Sequence, residues 1–147
     1  MGTYTPPTTL LVQHVATQLA TITTPAWRTN IGANVGTERQ QELDDSAPFC
    51  SVRLVGWESV NDGTAIRRDC ELAIEAVVPA TDANAEAQAR LAAEDIFERF
   101  RNGGGVTLAA GTECVLRPIE SAAIERPESA AAVIARLTLR AEVYELF

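Results

Sequence analysis

Apolar residues recur along this chain with two different periods, and the switches between them mark out its elements. Over 8–23, Leu11, Val15, Leu19 and Ile22 follow at spacings of four, four and three, which draws one apolar stripe down a helix. Thr5 is a candidate cap, Pro6 and Pro7 fall where a helix tolerates a missing amide donor, and Pro25 ends the segment. Ile31, Ala33 and Val35 then alternate with Asn30, Gly32 and Asn34, which predicts a short strand. Phe49 to Val60 reads as the next strand, with Cys50, Val52 and Leu54 on one face. Asn61-Asp62-Gly63 is a turn signal that folds it back as a hairpin. Its partner, Ile66 to Val78, alternates most cleanly. Ile66, Cys70, Leu72, Ile74, Ala76 and Val78 share a face interrupted only by Arg68, while Arg67, Asp69, Glu71 and Glu75 point the other way.

Pro79 stops that strand, and Thr81 or Asp82 offers a cap for a second helix running to about Arg101. Its apolar face is Ala85, Ala89, Ala92, Ala93, Ile96, Phe97 and Phe100, so small residues let one end lie close to a sheet and phenylalanines fill the other. Glu94 and Glu98 share the polar face of the helix and Asp95 falls nearer the boundary, and the three read as a charged solvent face. Gly103-Gly104-Gly105 ends the helix, since glycine readily takes the left-handed backbone of a helix stop. Cys114 to about Ile119 is a further strand, and Pro118 makes it an edge, a bulge or two pieces reaching Ile124. The last strand, Ala131 to Tyr144, carries Arg136 and Arg140 on its polar face, where they are expected to meet Asp69, Glu71 or Glu75 across the sheet. The pattern predicts an α+β fold: a mixed, largely antiparallel sheet of about five strands with two helices on one face, in the order α-β-β-β-α-β-β. With no repeat and no linker, residues 1–147 read as one domain.

Composition narrows the function classes. A chain of 147 residues buries roughly 70% of its unfolded surface, enough for a core without metal or disulfide support. Cys50, Cys70 and Cys114 have no CxxC spacing and read as reduced, buried thiols. No apolar run approaches the ~20 residues of a membrane span, and the N-terminal residues show no signal-peptide pattern, so synthesis in the cytoplasm is the expectation. The net charge is −8 and all twelve basic residues are arginines. That balance opposes tight nonspecific binding to DNA and attachment to an acidic membrane surface.

Catalytic patterns are missing. The single histidine, His14, lies in the first helix with no nearby nucleophile signature, so neither a hydrolytic triad nor a metal site is supported. Gly103-Gly104-Gly105 lacks the lysine of a phosphate-cradling loop, and Gly32-Ala33-Asn34-Val35-Gly36 is not a dinucleotide fingerprint. No cofactor is expected. What stands out instead is a polar stretch, Gly36 to Pro48, containing Glu38, Arg39, Gln40, Gln41, Glu42, Asp44 and Asp45, which is long for a loop in a compact domain. These seven residues are candidate contact residues. Trp57 joins them as a candidate anchor, with Arg67, Asp69, Glu71, Arg136 and Arg140 on the wet faces of the long strands.

The layout resembles that of phage tail terminator proteins. The resemblance is carried by an opening helix and short strand and by a strand entered through Ala47-Pro48-Phe49-Cys50-Ser51-Val52. The long alternating strand from Arg67 to Val77, the helix rich in alanine and acid from Ala85 to Phe100, and a final amphipathic strand from Leu137 to Tyr144 complete it. It implies a structural virion protein without catalytic residues, located at the head-proximal end of a tail. Its copies would form a ring, six being the expected number, that caps the tail tube, ends tail polymerisation and receives a head-completion or connector protein. DNA would pass the lumen without specific binding, which suits an acidic wall. The alternatives are another neck or tail-completion protein on a similar fold, or a small α+β ligand-binding protein or enzyme with a pocket between sheet and helices.

Overall fold

The computed structural model describes residues 5–37, 48–61, 63–80, 84–126 and 131–146. Helix α1 (Pro7–Leu19) is followed by a 3₁₀ turn (Ile31–Ala33), β1 (Val35–Gly36), β2 (Phe49–Asn61) and β3 (Ala65–Pro79). Helix α2 (Ala85–Arg99), β4 (Gly104–Ala109), β5 (Thr112–Leu116), β6 (Ala122–Glu125) and β7 (Ala132–Leu146) complete the order. The strands form one mixed sheet in the order β1-β2-β3-β7-β5-β4, with β6 paired to β7. Only the β1–β2 pair is parallel.

The frame is β2, β3 and β7, and their alternation decides which face is packed. Cys70, Leu72, Ile74, Ala76 and Val78 of β3 lie opposite Ala141, Leu139, Leu137, Ala135 and Val133 of β7, so the apolar positions of both strands share one face. Both helices cover that face. Leu11, Val15 and Leu19 of α1 and Ala85, Ala89, Ala92, Ala93 and Ile96 of α2 join the same core. Burying each leucine or isoleucine there contributes roughly 1.5–3 kcal/mol. Helix α2 lies on β3 and β7, while α1 touches β2 near one end of the sheet and β4 at the other. The sheet therefore curls around α1. Burial falls away along β2: its first four residues are buried, and Val55 to Asn61 are all exposed.

The α+β class and the single helix-bearing face agree with the sequence reading, but the sheet has seven strands rather than about five. The hairpin β4–β5 accounts for part of the difference. Gly103 (φ 59°) does end the helix region, yet Gly104 and Gly105 already belong to β4, and Gly111 (φ 79°) turns that strand back into β5. Pro118 separates β5 from β6, so the expected single strand is two pieces. Each pairs with a different half of β7.

The predicted strand at 31–35 is mostly a 3₁₀ turn. Gly32 sits tight against the end of α1: its N–H donates to Ile22 O at 2.8 Å, and a Cβ there would lie 2.4 Å from Leu19 O. Helix α1 stops at Leu19, short of the expected 23. Thr5 does not cap it, because Pro6 takes the cap position without a side-chain hydrogen bond. Helix α2 starts at Ala85 after Asn84, and the proposed caps Thr81 and Asp82 lie outside the described residues.

Candidate assembly surface

The face of the sheet turned away from the helices carries a ladder of charges. Register places Glu71 opposite Arg140 and Glu75 opposite Arg136, and both pairs close, at 3.3 Å and 2.8 Å. Arg136 donates twice to Glu75, through Nε (3.2 Å) and Nη2 (2.8 Å), and its other arm reaches Glu125 on β6. This contact raises the Arg136 pKa, chiefly through the hydrogen bonds to Glu75. Glu75 is only 3% exposed, with Arg53 at 3.9 Å on its other side. Asp69 and Glu142 fall directly opposite one another, a like-charge pair that would repel. Neighbours absorb it: Arg67 lies 3.1 Å from Asp69, while Arg117 and the Tyr144 hydroxyl both donate to Glu142. The Glu142 carboxyl is held below its ordinary range, first by the Tyr144 hydroxyl and then by Arg117, and the Tyr144 phenol is correspondingly raised.

Between this ladder and the Arg117–Ser121 crossover lies an open groove of about 1080 Å³. Glu58, Asp69, Glu71, Glu120 and Glu142 line it against Arg117 and Arg140, so its field is negative and unsuited to a phosphate. It contains no histidine and no nucleophile paired with a base. Among the described residues, no cluster of three or more His, Cys, Asp or Glu side chains is arranged to hold a metal.

The candidate contact residues separate into three groups. Arg67, Asp69, Glu71, Arg136 and Arg140 share the open face, as the alternation predicts. Trp57 does not join them: it pairs with Cys70 and therefore lies on the helix-bearing face, toward the exposed end of β2. It is 48% exposed, and the Arg68 guanidinium sits 5.2 Å from its ring centroid, with Arg68 also paired to Glu145. Glu38, Arg39, Gln40, Gln41, Glu42, Asp44 and Asp45 lie outside the described residues.

A second polar cluster corrects the reading of α2. Asp95 is not on a solvated face: it is fully buried. Its Oδ2 accepts from Thr29 N and Thr29 Oγ1, both at 2.8 Å, and its Oδ1 accepts from Arg28 Nη1 at 3.0 Å. Arg28 also reaches Glu98 at 3.0 Å, which raises the arginine pKa and lowers that of Glu98. The arrangement ties the segment before the 3₁₀ turn to α2. A signal existed in the sequence, since Asp95 follows Ala92 by three and so borders the apolar stripe.

The likeness to known proteins lies in the fold. A chain from a solved structure described as the virion of a native gene transfer agent particle superposes with a TM-score of 0.58 at 21% sequence identity. The match covers 91% of this chain and 94% of the other. The two therefore share a fold over nearly their whole lengths. No family model and no curated protein matches the sequence.

Proposed function

We propose that this chain is a structural virion protein that forms a ring capping the tail tube, ends tail polymerisation and offers a surface for head attachment. The observation that supports this reading is the shared fold with a chain of a gene transfer agent virion particle, over nearly the whole of both chains. The surface supports it in two ways. The open face carries both charge signs in register, which suits contacts whose alignment is set by charge complementarity. The net charge of −8 suits a wall past which DNA slides without sticking. In this reading the chain acts without catalysis, cofactor or membrane, and its partners are further copies of itself, a tail tube protein and a head-completion protein.

Light scattering across a concentration series, with negative-stain images of the same sample, tests the ring. A discrete oligomer imaged with a central hole is expected, six copies being the anticipated number. A protein that keeps monomer mass at every concentration, and also when mixed with tail tubes, overturns the reading. The shared fold equally suits another neck or tail-completion part, and labelling the chain within assembled particles separates the two by position.

A further inference from the structure

The sheet has two free edges, and they stand at the same height. Among the described residues, β2 has no partner beyond β3 once β1 ends at its pairing with Ser51, and β4 pairs only with β5. One row of paired residues crosses the sheet as Trp57, Cys70, Ala141, Leu116 and Gly104. Another crosses as Asn61, Ile66, Glu145, Thr112 and Ala109. The open stretch Trp57–Asn61 of β2 and the whole of β4 therefore span the same rows at opposite ends of the sheet. Following the antiparallel pairings from β2 through β3, β7 and β5 to β4 also shows that the two edge strands run in the same direction.

Of the devices that usually guard exposed edges, each strand has chiefly a local irregularity in its pairing, between Leu54 and Gly56 on β2 and between Thr107 and Ala109 on β4. Strand β4 reads Gly-Gly-Val-Thr-Leu-Ala, with no charge and no proline, and β2 from Gly56 to Asn61 carries one charge, Glu58. Each edge holds a glycine, Gly56 at the irregularity in β2 and Gly105 in regular pairing on β4. A Cβ at Gly56 would meet nothing within 4 Å, one at Gly105 only Cys114 O at 3.9 Å, and neither has a positive φ. A strand glycine of this kind often marks a close approach by another backbone. Val55, Trp57 and Val60 add exposed apolar surface on the β2 side.

We propose that β2 of one copy pairs in parallel with β4 of the next, aligning Trp57 with Gly104 and Asn61 with Ala109 of the neighbour. This inference rests on the ring reading and names the contact that would build the ring. The partner is a second copy because two different edges of one chain match in height, direction and near absence of charge. Their equal height means that successive copies need little translation along the strands, the condition for a closed ring rather than a filament. On a chain with net charge −8, neutral edges are also where copies approach with least repulsion.

Val60 and Thr107 face each other in this pairing, both exposed on the open side, so two variants test it: Val60→Cys and Thr107→Cys. The native thiols are buried, with Cys50 and Cys114 pushed up to about 12 and Cys70 to about 11 by desolvation, so mild oxidation addresses the introduced cysteines. A mixture of the two variants is expected to give a disulfide-linked dimer that neither gives alone. The double variant should give a ladder of covalent oligomers ending at the ring size. Cross-linking by either single variant alone would mean a two-fold contact and would overturn the proposal. An oligomer of normal mass that forms no cross-link would overturn the edge pairing and leave the ring standing. A chain that never leaves monomer mass, even when mixed with tail tubes, would overturn the ring reading itself.

Discussion

Asp95 is an acid on the inner side of a helix, and its hydrogen bonds explain how it can be there. Both carboxylate oxygens are used, and the Thr29 amide and hydroxyl depend on Oδ2. Asp95→Ala should cost about 1–3 kcal/mol, because it leaves donors without an acceptor next to the core. Asp95→Asn, which keeps one acceptor oxygen, should cost less; urea denaturation of the two variants compares them. His14 is the only histidine, and its pKa is lowered mainly by burial and then by Arg99. The folded chain therefore resists protonation, while the unfolded chain takes the proton near the ordinary 6.5. Stability should fall as pH drops through 6.5 toward the lower folded value, and His14→Gln should flatten that slope. Glu98 and Glu142, both lowered, contribute stability that is lost only below the ordinary carboxylate value of 4.5. A denaturation series between about pH 7.5 and 5.5 thus isolates the histidine.

At the scale of elements, the sheet and the segment after α1 depend on single contacts for their alignment. Arg136 bridges β3 and β6 from its place on β7, and removing it leaves Glu75 almost buried with only Arg53 at 3.9 Å. Arg136→Ala should destabilise by about 1–3 kcal/mol, less than breaking a fully buried pair because the arginine is 39% exposed, and adding Glu75→Gln should recover part of the loss. A double-mutant cycle by chemical denaturation reads the coupling directly. Gly32 is a different case. Its missing side chain lets the 3₁₀ turn close on Leu19 and Ile22, where any Cβ meets backbone oxygen rather than a movable side chain. Gly32→Ala should cost about 1–3 kcal/mol in a thermal or urea melt, as overpacking does.

On the scale of the whole molecule, charge and edges act against each other. A net charge of −8 makes copies repel, while the neutral edges and the exposed Val55, Trp57 and Val60 favour contact. Self-association should therefore strengthen when salt rises from about 0.02 to about 0.2 M, because the Debye length falls from about 20 Å to about 7 Å and screens the net repulsion. Sedimentation at the two salts measures this. An association that weakens with salt would instead point to the ion pairs of the open face as the contact.

The alternation of β3 and β7 was legible in the sequence because a period of two needs no knowledge of what lies across the sheet. It placed the core face, the open face and the pairing of Arg136 and Arg140 with carboxylates of β3. The apolar stripes of α1 and α2 were legible for the same local reason, except that Phe97, expected on the packed face of α2, is exposed. Four features were decided by the tertiary structure: the full burial of Asp95, for which the sequence showed only a place at the edge of the stripe, the turn at Gly32, the extra hairpin at β4 and the side on which Trp57 lies. Each depends on a partner distant in sequence or on a one-residue shift in register. Asp95 needs Thr29, Gly32 needs the end of α1, and β4 needs β5 to turn a glycine-led run into a strand. The irregularity between Leu54 and Gly56 shifts the pairing by one residue and so sets the side of Trp57. Period determines which face a residue takes along one strand, but a bulge or a long-range contact resets it, and neither leaves a local mark in the chain.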